Sequence, residues 1–258
     1  MNRFTSTAVA AAKSAGQILM KYYPDIRSTS IIKKGKHDIV TKADMMTNTA
    51  IIKAIEKVFP DHDIYSEETG LKNKPGSYKW VIDPLDGTSN YAMHIPLFCT
   101  SISLVHKGSI IISVIYAPYL NELFIAEKGK GAFLNNKRIH VSGTKVLKEA
   151  FLFLGRGHGK PVYKNFLKLQ KRLRKDVINI RFIGSASMNM AYVASGRTDS
   201  YIQVPPESHL WDTAAGVLLV KEAGGQVSDF RGRPWKFNSL GVVASNGLIH
   251  QQLIKKLK

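Results

Sequence analysis

The chain has 258 residues, 44% of them hydrophobic and 22% charged, an ordinary balance for a globular protein with room for a substantial core. Its formal net charge of +18 is not ordinary, and raises nucleic acid, an acidic surface or an anionic substrate as partners. Cys99 is the single cysteine, which excludes an intrachain disulfide and a multi-cysteine zinc site.

Two helices open the chain. Residues 4–23 carry Ala8, Ala11, Ala12, Ala15, Ile18, Leu19 and Tyr22 at helical spacing and stop before Pro24; residues 42–59 carry Ile51, Ile55, Val58 and Phe59 on one face and stop at Pro60. Short strands follow at 63–65, 80–82, 100–106, 109–116, 122–127 and 132–134, punctuated by Gly108, Pro118, Gly129 and Gly131. Several read as hairpins, so the first half is expected to be an antiparallel sheet with helices packed on it. Near residues 141–148 the rhythm changes. Strands at 151–154, 178–183, 200–204, 226–227 and 242–244 alternate with helices at 162–174, 186–194, 212–223 and 247–257, the pattern of an α/β unit. With neither linker nor internal repeat, the expectation is a single catalytic domain over 1–258, its halves at about 1–145 (α+β) and 146–258 (α/β) enclosing a cleft.

The apolar run Ala8 to Ala12 is cut short by Lys13, so no signal peptide is expected, and no stretch approaches the ~20 apolar residues of a membrane span. A cytoplasmic protein without a membrane partner is expected. The lysines are scattered (Lys33, Lys34 and Lys36; Lys72 and Lys74; Lys255, Lys256 and Lys258) and no nucleic-acid motif accompanies them. A lysine-rich proteome is therefore the favoured reading of the charge, and a nucleic-acid partner is not favoured.

The chemistry concentrates at Asp83-Pro84-Leu85-Asp86-Gly87-Thr88, which follows the apolar run Lys79-Trp80-Val81-Ile82. Two carboxylates three residues apart at a strand end, with a Gly-Thr step able to open a helix, place hard oxygen ligands beside free N–H groups. That pairing suits Mg²⁺ and phosphate. Glu67 and Glu68 follow the preceding strand, Asp212 follows Trp211 at a helix start, and Asp44 closes Thr41-Lys42-Ala43-Asp44. Carboxylates converging on one cleft need cations between them, and two divalent ions about 3.5–4 Å apart would also clamp a phosphate. Each acid has a plainer alternative: a capping box for Asp44, a solvated turn for Glu67-Glu68 and an N-cap for Asp212. The eight histidines show no ligand spacing, and Gly155-Arg156-Gly157-His158-Gly159 reads as a loop.

Together these motifs resemble the inositol monophosphatase superfamily of Mg²⁺-dependent, Li⁺-sensitive phosphatases, along nearly the whole chain. Asp38-Ile39-Val40-Thr41-Lys42-Ala43-Asp44 is similar to its D-x-V-T-x-x-D segment, Ser66-Glu67-Glu68 to its G/S-E-E turn, and residues 83–88 to its D-P-[IL]-D-G-T signature. Gly184-Ser185-Ala186 with Asn189, Ala191, Tyr192, Val193, Ala194 and Gly196 resembles a further block, and Trp211-Asp212-Thr213-Ala214-Ala215-Gly216 with Glu222-Ala223-Gly224-Gly225 resembles the family's ending. The resemblance implies a layered αβαβα sandwich of the inositol monophosphatase/fructose-1,6-bisphosphatase type, a homodimer, and two or three Mg²⁺ ions with Li⁺ inhibitory. It implies that Glu67, Asp83 and the Leu85 carbonyl hold one Mg²⁺ and that Asp83, Asp86 and Asp212 hold a second. Glu67 and Thr88 would activate a water, supported by Asp44, and the N–H groups of Gly87 and Thr88 would bind phosphate. Ser185, Ala186, Glu207 and Asp212 would line the substrate's place, and Lys33 would sit on a loop covering it.

One position departs from the pattern. Relatives acting on inositol phosphates carry a Glu seven residues before the aspartate of Trp-Asp; here Pro205 stands there, and Glu207 is the nearest acid. Inositol 1-phosphate or a similar polyol phosphate is the favoured substrate. 3′-Phosphoadenosine 5′-phosphate, fructose 1,6-bisphosphate and histidinol phosphate are the alternatives, and an RNA- or transcription-partner-binding protein is the alternative of another class.

Overall fold

The computed structural model describes residues 2–25, 31–33, 39–72, 77–156, 160–205 and 209–257. Helix α1 (Arg3–Tyr22) is capped by Asn2, whose side-chain oxygen accepts the Thr5 N–H at 2.8 Å. After a hairpin of β1 (Ile31–Lys33) and β2 (Ile39–Thr41) comes α2 (Lys42–Val58). Then follow β3 (Asp63–Ser66), β4 (Gly70–Lys72), β5 (Tyr78–Asp86), the short α3 (Thr88–Ala92), β6 (Cys99–His106), β7 (Ser109–Ala117), β8 (Glu122–Glu127), β9 (Gly131–Leu134) and β10 (Lys137–Ile139). The second half runs β11 (Phe151–Gly155), α4 (Lys160–Leu173), β12 (Asn179–Arg181), α5 (Ala186–Ala194), β13 (Ser200–Gln203), α6 (Leu210–Glu222), β14 (Gln226–Ser228), β15 (Val242–Ser245) and α7 (His250–Leu257).

Strands β3 to β10 form an eight-stranded sheet in the order β10-β9-β8-β7-β6-β5-β3-β4, and β11 to β15 a five-stranded sheet in the order β12-β11-β13-β15-β14. The first sheet is antiparallel, as its hairpin turns lead one to expect, save where β3 runs parallel to β5 because β4 has taken β3's other edge. The second is parallel across β12, β11 and β13 and antiparallel at β15 and β14.

Period-two alternation along the strands builds the layers. Trp80 and Ile82 of β5 pack with Ala8, Ala12, Ile51 and Ile55 of α1 and α2, while Val81 between them faces α5 and α6. Those two helices in turn meet Tyr201 and Ala244 of the second sheet, whose other face carries Leu152, Ile202 and Val243 against Phe166 of α4 and Leu253 of α7. The outcome is helices, sheet, helices, sheet, helices, a layered αβαβα sandwich. Close contact in the central layer depends on Gly216, where a Cβ would stand 2.6 Å from the Met190 side chain.

Two helix starts differ from the expected ones. Helix α6 starts two residues before the expected 212, with His209 at its cap position, so Asp212 is its third residue and not its N-cap. Helix α7 starts at His250 and not at 247, since Gly247 is left-handed (φ 83°) and Asn246 accepts the Ile249 N–H at 3.2 Å. The three-residue strands β1, β2, β4 and β10 are too short to show a period in the sequence.

Candidate active site

Strand β5 is buried along residues 80–86, and its pairing with β6 breaks between Asp83 and Asp86: Asp83 faces Ser101 and Asp86 faces Cys99, three steps against two. Pro84, which has no N–H for the ladder, sits in this bulge. The freed groups are taken up locally. Thr100 donates its hydroxyl to the Pro84 carbonyl at 2.9 Å, and the Leu85 N–H donates to the Asp83 carboxylate at 3.0 Å. Gly87 then turns the chain with φ 92°, where a Cβ would lie 2.8 Å from the Leu97 carbonyl oxygen. Glycine is required there by both conformation and space.

Three other elements bring acids to this turn, and a fourth fixes the acid of β5 itself. Asp44, in the first turn of α2, is buried and accepts the Thr88 hydroxyl at 3.3 Å; the same hydroxyl lies 2.9 Å from the Leu85 carbonyl. Glu67 follows β3, tied to β5 by its N–H to the Ile82 carbonyl at 3.2 Å. Asp86 accepts the Ala186 N–H at 3.2 Å and the Ser187 N–H at 2.5 Å, so the start of α5 holds its carboxylate in place. Asp212 arrives on α6, whose Trp211 packs between His209 (4.7 Å) and Tyr65 (5.1 Å), an aromatic joint between the end of β3 and the start of α6. Glu67, Asp83, Leu85, Asp86, Gly87, Thr88, Ser185, Ala186 and Asp212 all line one cleft of about 600 Å³, a volume suited to a small molecule.

The electrostatics follow from crowding. Burial holds the Asp83 carboxyl well above the usual carboxylate range, and the charges of Glu67, Asp86 and Asp212 and a hydrogen bond with Glu67 push it further. Asp212 is raised well above that range by burial and then by Asp86 and Glu67. Asp86 is raised by burial, with the Ser187 and Ala186 N–H groups pulling the other way. Among the described residues no three His, Cys, Asp or Glu side chains are gathered closely enough to cage an ion as they stand. The donor set is all oxygen and strongly anionic, and it fits a hard divalent cation that would draw the carboxylates inward.

Of the expected residues, Glu207, Asp38, Lys34 and Lys36 lie outside the described residues, and Lys33 falls in β1. Ser185 and Ala186 line the cleft, but their polar groups hold protein: Ser185 caps α5 by accepting the Met188 N–H at 3.3 Å, and the Ala186 N–H is on Asp86. The wall opposite the acids went unnoticed in the sequence. It is made of Arg156, Tyr163, Phe166 and Phe182, with the Arg156 guanidinium 6.0 Å from the Tyr163 ring centroid and Phe166 5.0 Å from Phe182. Their only signal was the glycine-rich 155–159 run and an aromatic pair on a basic helix.

Fold and cleft together define the chain's class, the phosphoric monoester hydrolases of this layered architecture. The family described as "Inositol monophosphatase family" matches residues 1–258. The chain belongs to that family. It is 36% identical over 252 residues to an "Inositol-1-monophosphatase" of Mesorhizobium japonicum, covering 97% of this chain and 94% of the relative. It is 40% identical over 233 residues to a "Nus factor SuhB" of Xylella fastidiosa, covering 87% and 81%. Among solved structures it is similar to the extragenic suppressor protein suhB of Bartonella henselae, with a TM-score of 0.95, 34% identity and coverage of 100% and 99%. Among the described residues, no helix is long and apolar enough to cross a membrane.

Proposed function

We propose that the chain hydrolyses a small phosphate monoester with the help of Mg²⁺, with inositol 1-phosphate or a similar polyol phosphate as the favoured substrate. The observation that carries this reading is the β5 bulge, which turns two buried carboxylates, Asp83 and Asp86, into a cleft already shared with Glu67 and Asp212. Glu67, Asp83 and the Leu85 carbonyl would hold one ion, and Asp83, Asp86 and Asp212 a second. Bound there, Mg²⁺ supplies charge neutralisation for the phosphate and a lowered pKa for water.

The chain's own groups supply the rest. Asp44 lies behind Thr88 and, with the Leu85 carbonyl, accepts the hydrogen bond its hydroxyl donates, which leaves a Thr88 Oγ lone pair to receive a hydrogen bond from the attacking water. Glu67, on the same cleft, would take that water's proton. The N–H groups of Gly87 and Thr88 precede the first bonded turn of α3 and would face the phosphate oxygens. Asp86 cannot swing away, because two N–H groups of α5 hold both its oxygens.

Phosphate release with Mg²⁺ from inositol 1-phosphate, 3′-phosphoadenosine 5′-phosphate, fructose 1,6-bisphosphate and histidinol phosphate tests this. Preferred turnover of inositol 1-phosphate is the expected result. Preference for another compound would retain the metal chemistry and replace the substrate. No turnover of any would overturn the reading.

A second reading is favoured by one observation, the 40% identity to a relative named a Nus factor on a chain of net charge +18. In it the basic surface holds RNA or a transcription partner. Electrostatic retention on RNA weakens steeply with salt, and no retention at ~50 mM salt would remove this reading.

A further inference from the structure

At the other end of α6 from Asp212, a second cavity of about 450 Å³ opens where the last turns of the helix meet the β6–β7 and β8–β9 turns and the loop carrying Trp235 and Phe237. It shares no lining residue with the catalytic cleft. Its floor is apolar, made of Ile110, Val217, Leu218 and Trp235, and its rim carries Lys128, Lys221 and Lys236.

Three features of this cavity ask for a ligand. Trp235 is 8% exposed, and its indole N–H is buried with no hydrogen-bond partner among the described residues. A buried donor left unpaired is costly. Trp80, by contrast, donates its N–H to His62 at 3.1 Å. Next, Phe237 stands 39% exposed and edge-on to Trp235, at 5.7 Å and 71°, so the two rings form an open aromatic corner. Finally, the rim is positive. The acid there, Glu222, has both oxygens engaged by the Gly129 and Gly131 N–H groups at 2.8 Å each. Burial and the Lys128 charge together push the Lys221 ammonium below its ordinary value. Three ammonium groups outweigh the Glu222 carboxylate together with the roughly half charge of the same sign at the C-terminal end of α6.

We infer that this cavity is a second ligand site, for a flat organic anion: an aromatic ring bearing a carboxylate, sulfonate or phosphate group. The ring lies in the Trp235–Phe237 corner over Ile110 and Leu218. The anionic group sits between Lys128 and Lys221, and opening of the Trp235–Phe237 corner lets an acceptor atom of the ligand reach the Trp235 N–H, which is covered in the free protein. The volume falls within the range of small-molecule pockets, and the mix of apolar floor with a few converging polar groups is theirs as well.

The test uses the full chain, labelled with ¹⁵N, and 2-naphthalenesulfonate as the probe. The sequence has three tryptophans, hence three indole N–H resonances. Trp235→Phe identifies the relevant one, with triple-resonance assignment in its place should that variant be unstable. Titration is expected to move the Trp235 resonance saturably, as a new hydrogen bond would. The surface variant Lys128→Gln/Lys221→Gln is expected to weaken the dissociation constant about tenfold, and the uncharged 2-naphthol to bind more weakly than the sulfonate by a similar factor. A Trp235 resonance that stays in place at millimolar probe would overturn the proposal. So would equal binding by the double variant, or equal binding of the uncharged ring.

Discussion

The acid end of the catalytic cleft is set by backbone. Asp83 sits in a bulge closed by Thr100 and the Leu85 N–H, Asp86 is held by two N–H groups of α5, and Asp44 is buried beneath Thr88. The opposite end is set by side chains: Arg156 just beyond β11, Tyr163 and Phe166 on α4, and Phe182 just after β12, touching one another through ring and cation contacts. On the proposed function, phosphate chemistry is assigned to the acid end and substrate choice to the far wall, and the predictions below are arranged to separate the two.

The largest effect is expected at Asp83, the residue proposed to be shared by both ion positions. Asp83→Asn should lower turnover by roughly 10³-fold, since metal-assisted stabilisation is worth several kcal/mol. Its fold should remain intact, because the substitution removes a buried like charge. Full Mg²⁺-dependent activity in this variant would end the assignment of Asp83 as the shared ligand. Gly87→Ala comes next. A left-handed alanine costs about 1–3 kcal/mol, and its Cβ would press on the Leu97 carbonyl at 2.8 Å. Lower stability in chemical denaturation with an equal drop in turnover for every substrate is expected. A change of substrate preference would show that the acid end also selects.

The acid end should also reveal itself through pH. Without divalent ions, Asp83, Asp86 and Asp212 bind protons more tightly in the folded than in the unfolded chain. Their contribution is fully present below the ordinary carboxylate range and is lost as pH rises through their raised values. His250, buried between Ser245 and Ser228 and pushed down to about 4, works the other way and costs stability as pH falls below its ordinary 6.5. The clean measurement is thus a difference. With chelator present, wild type should lose melting temperature relative to Asp83→Asn as pH rises from about 5 to 8, by about 2–4 °C for each kcal/mol involved. Mg²⁺ should close that gap. Parallel curves would mean that the carboxylates are not in competition with one another.

The two ends also differ in how far the sequence disclosed them. Asp83, Asp86, Gly87 and Thr88 lie within six residues, so their strand-end geometry was readable from local chemistry, and the helices at 4–23 and 42–59 from their period. Glu67, Asp44 and Asp212 each had a plausible local alternative, and only tertiary contacts bring Glu67 and Asp212 to one cleft and Asp44 beneath Thr88. Asp212 shows the limit: its plainer alternative was an N-cap, yet it is the third residue of α6, so the local cap preference for Asp over His209 was overridden. The parallel β3–β5 pair was likewise invisible, since strand order is a long-range property. The far wall carried almost no local signal, because Arg156, Tyr163 and Phe182 meet only after β11 and β12 pair.

The smallest expected effect is the most discriminating for substrate. Arg156 is exposed and rests against Tyr163, so its charge acts through solvent and is worth about 1 kcal/mol or less to a bound anion. Arg156→Gln should raise KM several-fold and leave kcat nearly unchanged, the pattern of a contact made equally in ground and transition states. The size should depend on what reaches the far wall. A substrate with one phosphate, held at the acid end, presents only neutral hydroxyls to Arg156 and should show little change. A substrate with a second phosphate, such as fructose 1,6-bisphosphate or 3′-phosphoadenosine 5′-phosphate, places a charge there and should lose more. A fall in kcat for the monophosphate would instead place Arg156 in the chemistry, and the division between an acid end that reacts and a far wall that selects would no longer stand.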